Sequence, residues 1–306
     1  MESYPRNLME FEQQFATEKA CREYLFELRW PDGFQCPRCE NRKAWKTSQD
    51  LYYCVKCGYK TSVIAGTIFQ DTSKPLKMWF RAMWYITNQK HGVSALGLQQ
   101  TLGFGSYRTA WSWLHKLRCA MVRPDRDRLS GIIEVDETYL GGPEPGKRGR
   151  GAIGKGLVVV AAQKDGKRIG RIRLQQVVDA CAESLNKAVK KSVEPNSVVH
   201  TDGWRGYNGL SKLGYTHTVI RQESDIGNNL LPSVNRVVAL LKRWLLGTHQ
   251  GAVGASHLDY YLDEFTFRFN RRTSKSRGKL FYRLVKQSLE VPPVLINDIA
   301  GGRSKK

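Results

Sequence analysis

Two aspartates in the sequence each stand in, or directly after, a run of β-branched residues. Asp136 closes the segment 132–136, IIEVD, and Asp202 closes the segment 197–202, SVVHTD. Runs of this composition are typical of strands buried in a sheet. A carboxylate in such a strand is costly to bury without a partner, and a divalent cation removes that cost. Phosphodiester chemistry uses carboxylates in this way, because cations held on a rigid frame stabilise charge on the attacking and leaving oxygens.

The residues alone leave a second interpretation of each acid open. Asp136 could be an ordinary acid of an edge strand, and Asp202 could cap a short helical segment that begins near Trp204. Strand alternation places Glu134 on the same face as Asp136 and Glu137 on the opposite face, so Glu134 is the better spare ligand.

Four cysteines form two C-x-x-C pairs near the N-terminus, Cys36 with Cys39 and Cys54 with Cys57, separated by fourteen residues. Each pair can supply two thiolates to one side of a tetrahedral zinc ion, and a spacer of hairpin length brings the pairs together. Four thiolates leave no open coordination position, so this Zn²⁺ would be structural. A redox pair or free thiols would explain two matched pairs less well. The basic residues around them either contact phosphates or form ordinary solvated surface.

The chain combines a strongly basic charge with a composition that can form a core. Its 306 residues contain 49 Lys and Arg against 28 Asp and Glu, a formal net charge of +21, and 41% of them are hydrophobic. The charge therefore belongs to the surface of a folded protein and favours nucleic acid as the partner, with an anionic membrane second. No apolar run approaches a bilayer span, and the N-terminus lacks the apolar core of a signal peptide. We expect a cytoplasmic protein without a membrane partner.

The spacing of apolar residues predicts the elements that must position these side chains. A helix is expected at residues 17–28 with Thr17 as its N-cap, and helical segments at 75–122 include a shorter helix, 93–102, that glycines end. These helices can form a helix-turn-helix or a plain three-helix packing unit.

Beyond residue 131 the period becomes that of strands, and helices then alternate with further strands. Strands are expected at 131–140, 157–163, 168–177, 197–202 and 216–220. Helices are expected at 179–192, 232–246 and 256–270, with a helical patch at 207–213. Three antiparallel strands followed by alternating helices and strands predict an α/β layered domain.

Five segments, in this order along the chain, resemble a known family. They are the ribbon at 36–57, EVDETYLGG at 134–142, HTDGWRGY at 200–207, NRVVALLKRWLLGTHQG at 235–251 and HLDYYLDEFTFRFNRR at 257–272. The sequence resembles bacterial insertion-sequence transposases of the ISXO-like group, which implies an α/β fold with an RNase-H-like catalytic core behind a small zinc ribbon and a helical domain. The implied divisions are an N-terminal helical segment (1–30), the zinc ribbon (31–66), a helical DNA-binding region (67–128), the catalytic domain (129–272) and a basic C-terminal tail (273–306).

The resemblance implies three ligands for a catalytic Mg²⁺ or Mn²⁺. The first two fall on Asp136 and Asp202, and the third falls on Asn235, seven residues before Lys242 of the LKR motif. Seven residues are two helical turns, so Asn235 and Lys242 share one helix face. Most of the wider superfamily has glutamate at the third position, and an uncharged amide should bind the cation more weakly. Asn235 could instead only cap its helix. The other candidates for the third ligand are Glu264, Asp259 and Glu223.

The function implied by the resemblance is DNA transposition. Water activated between two metals would nick the terminal inverted repeats, and the freed 3′ hydroxyl would attack target DNA, without a protein nucleophile. The family pattern points to Lys242 and Arg243 as DNA contacts, and a basic run containing Arg271 and Arg272 is expected to bind phosphates. A homo-oligomer on DNA is expected, because two ends must be joined. The rival interpretations are a zinc-ribbon DNA-binding regulator without catalysis, a nuclease or RNase H of the same fold, and an inactive transposase.

Overall fold

A computed structural model describes residues 3–123, 125–141, 155–220, 230–251 and 253–302. The chain forms two compact units, described separately here. The N-terminal unit combines the residues up to Arg123 with Ser274–Ile299, and the second unit, called the sheet unit below, is formed mainly by the segment between them. Among the described residues, no helix has both the length and the hydropathy needed to cross a membrane.

The helices and strands follow one another in the order that the sequence predicts. The helices are α1 (Leu8–Gln14), α2 (Glu18–Arg29), α3 (Leu76–Asn88), α4 (Ala95–Leu102), α5 (Tyr107–Ala120), α6 (Ala182–Ser192), α7 (Pro232–His249), α8 (Leu258–Phe269), α9 (Arg277–Glu290) and α10 (Ile296–Ala300). The strands are β1 (Ala44–Lys46), β2 (Tyr52–Cys54), β3 (Lys60–Thr61), β4 (Ile132–Leu140), β5 (Gly156–Asp165), β6 (Arg168–Val177), β7 (Val198–Thr201) and β8 (Thr216–Val219).

Side-chain caps begin several helices of the N-terminal unit, among them α2 and α3. Thr17 Oγ1 accepts a hydrogen bond from Ala20 N at 3.1 Å, as the sequence predicts for the start of α2. Helix α3 has no cap of its own, and Glu18 supplies one from α2 by accepting from Leu76 N at 2.9 Å and Lys77 N at 3.1 Å. A carboxylate at a helix N-terminus satisfies unpaired amides and opposes the helix dipole, so this contact also joins α2 to α3.

The core of the N-terminal unit contains a helix that the sequence analysis assigns to a basic tail. Phe281 of α9 is fully buried, and its ring lies 5.4–5.7 Å from the rings of Phe11, Phe15, Phe80 and Trp84. Residues 277–290 therefore belong to the N-terminal unit, and the main segment of the sheet unit ends at Thr273.

The start of α9 approaches another backbone closely. A Cβ added at Gly278 would lie 1.6 Å from Pro5 O, so only glycine fits this position. Basic residues alternate with the apolar positions of α9, so the charge of this segment is more evident in the sequence than its amphipathic pattern.

The sheet unit is built on five strands in the spatial order β6-β5-β4-β7-β8. Strands β4, β5 and β6 form an antiparallel meander, whereas β7 pairs in parallel with β4 and β8 pairs in parallel with β7. Apolar residues of α7 and α8 bury one face of the sheet, and those of α6 bury the other. The predicted α/β layers are confirmed, and strand ends fall within two residues of the predicted positions in most cases.

Candidate functional site

The four predicted cysteines converge in the N-terminal unit. Their sulfurs all lie within 4.8 Å of one another, with Cys36 Sγ to Cys57 Sγ at 3.7 Å and Cys39 Sγ to Cys54 Sγ at 3.6 Å. A tetrahedral zinc with Zn–S bonds of about 2.3 Å requires sulfurs about 3.8 Å apart. The donor set and its spacing therefore fit Zn²⁺, which these thiolates would hold in a structural role.

The backbone of each C-x-x-C knuckle follows the same path. Glu40 N donates to Cys36 O at 2.9 Å, and Gly58 N donates to Cys54 O at 3.0 Å. Both donors follow the second cysteine of their pair and have positive φ angles, 59° for Glu40 and 69° for Gly58. Burial would raise the pKa of the Cys54 thiol, but N–H donors, chiefly from the backbone, outweigh it and lower that pKa to about 6. Amides directed at the Cys54 sulfur favour the thiolate form that a metal ligand needs.

The outer face of the ribbon sheet carries an aromatic and cationic row. Trp45, Tyr53 and Lys60 are direct partners across β1, β2 and β3. The Trp45 and Tyr53 rings stack at 4.9 Å, and Lys60 Nζ lies 5.7 Å from the Tyr53 ring centre. Trp45 is 53% exposed. Cross-strand aromatic pairs stabilise small sheets, and this pair also presents a flat ring to solvent.

The strand pairing of the sheet unit brings the two predicted aspartates to one edge. Strands β4 and β7 are parallel, with Glu134 opposite His200. Extended by two residues, past the end of β7 at Thr201, this register would set Asp136 opposite Asp202, and neighbouring strands lie roughly 4.8 Å apart. Asp136 is half-buried and Asp202 is exposed.

Tyr207, in the segment that follows Asp202, contacts strand β4. It is fully buried, and its hydroxyl donates to Glu137 Oε2 at 2.9 Å. Burial raises the pKa of Tyr207 well above its ordinary value, and the negative charges of Glu137, Asp136 and Asp202 raise it further. Three carboxylates thus lie close enough to one phenol to affect its ionisation.

A tight turn fixes the backbone of Asp202. Its Oδ1 accepts from Trp204 N at 2.9 Å, which forms an Asx turn, whereas the N-cap of the 3₁₀ segment Arg205–Tyr207 is Trp204 and not Asp202. Gly203 has φ +86°, and a Cβ there would lie 2.6 Å from Val219 Cγ1. Only glycine suits this turn, which directs the chain away from the end of β7.

Helix α7 begins directly against β4. Glu134 Oε2 accepts from Ser233 N at 2.7 Å and from Val234 N at 3.1 Å, while Glu134 Oε1 accepts from Ser233 Oγ at 3.1 Å. Glu134 is only 1% exposed, and Lys164 Nζ lies 3.8 Å from its Oε1. The interpretation of Glu134 as a spare metal ligand is corrected accordingly, because both of its oxygens bind the first turn of α7.

The third expected ligand follows this contact immediately along the chain. Asn235 is the next residue after Val234 and is exposed, as are Lys242 and Arg243 further along α7. The buried side of the helix consists of Ser233, Val234, Val237, Leu241 and Leu245. Carboxylate and amide oxygens, such as those of Asp136, Asp202 and Asn235, are hard donors of the kind that suits Mg²⁺ or Mn²⁺.

Of the other candidates for the third ligand, Glu264 is already engaged with a protein side chain. Glu264 is 1% exposed and bonded to Arg268 of its own helix, with Arg268 Nη2 at 2.8 Å and Nε at 2.9 Å from Glu264 Oε1. Asp259 is half-buried in the first turn of α8. Glu223 lies outside the described residues.

The end of α8 is bound to the outer edge of β6. Asn270 Oδ1 accepts from Ile172 N at 2.7 Å, and Asn270 Nδ2 donates to Ile172 O at 3.1 Å. Arg272 stacks on Phe269 and donates to the carbonyl oxygens of Ile169 and Gly170. These contacts occupy an edge strand that would otherwise expose unpaired backbone groups.

The two arginines expected to bind DNA here are already engaged with protein. Arg271 stacks on Phe267 and donates to Phe267 O, while Arg272 makes the edge contacts described above. Since Arg272 remains partly exposed, a phosphate contact in addition is sterically open to it.

Two functional contacts were missed at the level of sequence, namely Glu134 with the start of α7 and Glu137 with Tyr207. A signal for the first existed. Helix α7 begins with Pro232, and the preceding residue, Leu231, has no side-chain acceptor with which to cap it. The first amides of α7 therefore need an acceptor from elsewhere. Nothing in the spacing of Glu137 and Tyr207 predicts that they meet.

Comparisons with known proteins identify two domains along the chain. Residues 128–270 match the ISXO2-like transposase domain, and residues 16–60 match the transposase zinc-ribbon domain. A protein in transposable element ISH50 of Halobacterium salinarum is 23% identical over 286 residues, covering 87% of this chain and 94% of that protein. A transposase-like protein of Haemophilus influenzae is 28% identical over 108 residues, covering 35% of this chain and 86% of that protein.

A crystal structure of the Mos1 strand transfer complex aligns with 78% of this chain and 82% of its own, at 13% identity and a TM-score of 0.27, too low to support an argument. The two domain models together cover more than half of the chain, in the order that the sequence segments predict. The chain therefore carries a transposase zinc ribbon followed by an ISXO2-like transposase domain, the two parts that the resemblance implies.

Proposed function

We propose that this protein nicks the ends of an insertion sequence and joins the freed 3′ hydroxyls to target DNA by two-metal phosphoryl transfer. The proposal is supported by the parallel pairing of β4 with β7, the strand that Asp202 directly follows, and by the contact of Glu134 of β4 with the first turn of α7. The strand order, antiparallel and then parallel about β4, also supports the RNase-H-like core that the resemblance implies.

Asp136, Asp202 and Asn235 would hold the catalytic Mg²⁺ or Mn²⁺. The chemistry that such cations supply is stabilisation of charge on the attacking and leaving oxygens of a phosphodiester. Asn235 contributes no charge, so phosphate oxygens of the bound DNA would complete the site. Lys242 and Arg243, exposed on the same helix, would hold the DNA backbone beside it.

The N-terminal unit would bind the DNA ends. The ribbon offers the Trp45, Tyr53 and Lys60 row together with exposed Arg42 and Lys43. The first turn of α5, preceded by the glycine-ended α4, is exposed and would enter a groove as the second helix of a helix-turn-helix does. We expect the protein to act in the cytoplasm on the nucleoid, as a homo-oligomer that pairs two ends.

The experiment is a strand-transfer assay with a labelled element-end duplex, a target plasmid and Mg²⁺ or Mn²⁺. The wild type should give a joined product, and Asp136→Ala and Asp202→Ala should each lose it while retaining DNA binding and zinc. Nicking without joining would indicate a nuclease of the same fold. DNA binding without nicking, unchanged by either substitution, would indicate a regulator.

A further inference from the structure

Helix α7 receives its N-terminal cap from β4 rather than from its own chain. Residue 231 is a buried leucine, and the amides of Ser233 and Val234 instead bind the carboxylate of Glu134. A serine or aspartate at residue 231 would have satisfied these amides locally, without burial of a charge. The arrangement found here costs desolvation of Glu134 but ties the start of α7 to the strand that carries Asp136.

The contact between Glu134 and α7 matters because Asp136 and Asn235 lie close to it along the chain. Glu134 and Asp136 are two residues apart on one strand face, about 7 Å at the usual rise. Asn235 follows Val234, whose amide Glu134 binds at 3.1 Å. The contact therefore fixes the separation between the elements that carry the first and third candidate ligands.

Glu137 makes a corresponding contact on the other face of β4. It accepts a hydrogen bond from Tyr207, which lies five residues after Asp202 in the 3₁₀ turn Arg205–Tyr207. Gly206 packs so tightly against Leu185 that a Cβ there would lie 2.7 Å from its Cδ1. The segment that leaves Asp202 is therefore fixed to β4 by a buried hydroxyl.

We propose that Glu134 and Glu137 are positioning residues of the metal site, Glu134 for Asn235 and Glu137 for Asp202. The inference rests on the proposed function, because it presumes that these residues serve one cation site. Strand β4 then contributes one ligand directly and holds the elements that bear the other two. Groups that orient metal ligands in this way typically affect metal affinity about 10- to 100-fold.

The test is a titration of the full-length, zinc-loaded protein with Mn²⁺ in the absence of DNA. Electron paramagnetic resonance measures the bound Mn²⁺. Asp136→Ala should abolish the site. Glu134→Ala should raise the Kd about 10-fold or more, whereas Glu134→Gln, which keeps an acceptor for both amides, should stay within about threefold of the wild type. Equal losses in the Ala and Gln variants would mean that only the charge of Glu134 matters, and would overturn the positioning role.

The molecule supplies matched controls. Glu18 caps α3 by the same two-amide contact in the N-terminal unit, so Glu18→Ala should lower thermal stability and leave the Mn²⁺ affinity unchanged. Tyr207→Phe should raise the Kd, whereas Tyr215→Phe should not, since the Tyr215 hydroxyl binds only Val193 O, at 3.2 Å. If Glu18→Ala weakens Mn²⁺ binding as much as Glu134→Ala, and Tyr215→Phe as much as Tyr207→Phe, the loss reflects lower stability and the proposal is wrong.

A second measurement separates failure of this inference from failure of the proposed function. Hydrogen exchange at the Ser233 and Val234 amides should accelerate in Glu134→Ala while the middle of α7 stays protected. Unchanged exchange there would overturn the positioning role alone. If the wild-type protein has no Mn²⁺ site, or if Asp136→Ala leaves its Mn²⁺ binding unchanged, the proposed function is wrong, and the positioning role falls with it.

Discussion

The two candidate metal centres of this protein are assembled in opposite ways. The sulfur centre draws its four ligands from residues 36–57, in two knuckles with the same backbone path. The oxygen centre would draw its ligands from Asp136, Asp202 and Asn235, on two strands and a helix far apart along the chain. Local backbone hydrogen bonds build the first, whereas only the packed sheet unit can build the second.

Because they are assembled differently, the two centres depend on different sources of stability. The ribbon has few buried side chains of its own, so the metal itself must supply much of its stability. The oxygen centre stands on a sheet with a core on both faces, and on the contacts of Glu134 and Glu137. The ribbon should therefore need its metal to fold, and the sheet unit should fold without one.

Zinc removal should give the largest effect. A strong chelator, or Cys54→Ser, should unfold the ribbon, since structural zinc contributes on the order of 10 kcal/mol to such domains. The sheet unit should remain folded. Metal analysis with hydrogen exchange across both units measures this, and persistent protection of β1 and β2 in zinc-free protein would contradict the comparison.

Loss of packing under α7 should show the reverse dependence. Leu241 is fully buried, and Leu241→Ala should cost about 2–5 kcal/mol and weaken Mn²⁺ binding, because α7 no longer seats firmly on the sheet. Zinc content should stay at the wild-type value. Thermal denaturation with metal titration measures both effects.

Phe281→Ala is the matched control in the N-terminal unit. It removes a fully buried ring and should cost a similar amount, about 3–5 kcal/mol, while the Mn²⁺ affinity stays unchanged. Weaker Mn²⁺ binding in this variant would show that the oxygen centre depends on more than its own unit.

The same contrast explains which features could be predicted from the sequence. The cysteine centre is encoded by spacing alone, because each knuckle closes its own hydrogen bonds and the hairpin returns the chain. The strand that contains Asp136 and the strand that Asp202 follows were predicted because dense β-branched runs leave few alternatives. Their adjacency followed only from the family resemblance, and the parallel pairing of β4 with β7 now gives it a physical basis.

Contacts between distant elements could not be predicted in the same way. Glu134 was assigned to the correct face of its strand but to the wrong partner, since strand alternation gives direction and not distance. Arg272 was interpreted from its charge, whereas its guanidinium binds carbonyl oxygens along β6. Charge describes what a side chain can bind, and only the fold determines which acceptor comes within reach.

The ribbon surface offers a smaller test of the division between DNA binding and chemistry. Trp45→Ala should leave the zinc content unchanged and weaken binding of element-end DNA with unpaired terminal bases by about 1–3 kcal/mol, the usual contribution of base–aromatic stacking. Strand transfer at saturating DNA should be unaffected. Fluorescence anisotropy provides the affinities, with Val178→Ala, an exposed apolar residue of the other unit, as the control. Equal affinities of the wild type and Trp45→Ala would exclude the ribbon face from DNA binding.

The smallest expected effect concerns the missing charge of the oxygen centre. Asn235→Asp adds a third carboxylate, which should tighten Mn²⁺ binding about tenfold, equivalent to about 1.4 kcal/mol. Its position in the early turns of α7 favours an acid, so the helix should lose no stability. Asn235→Ala should have the opposite effect on metal affinity and lower strand transfer in Mg²⁺. If neither substitution changes the Mn²⁺ affinity, Asn235 is not a ligand, and the oxygen centre contains two carboxylates held by β4 and β7 alone.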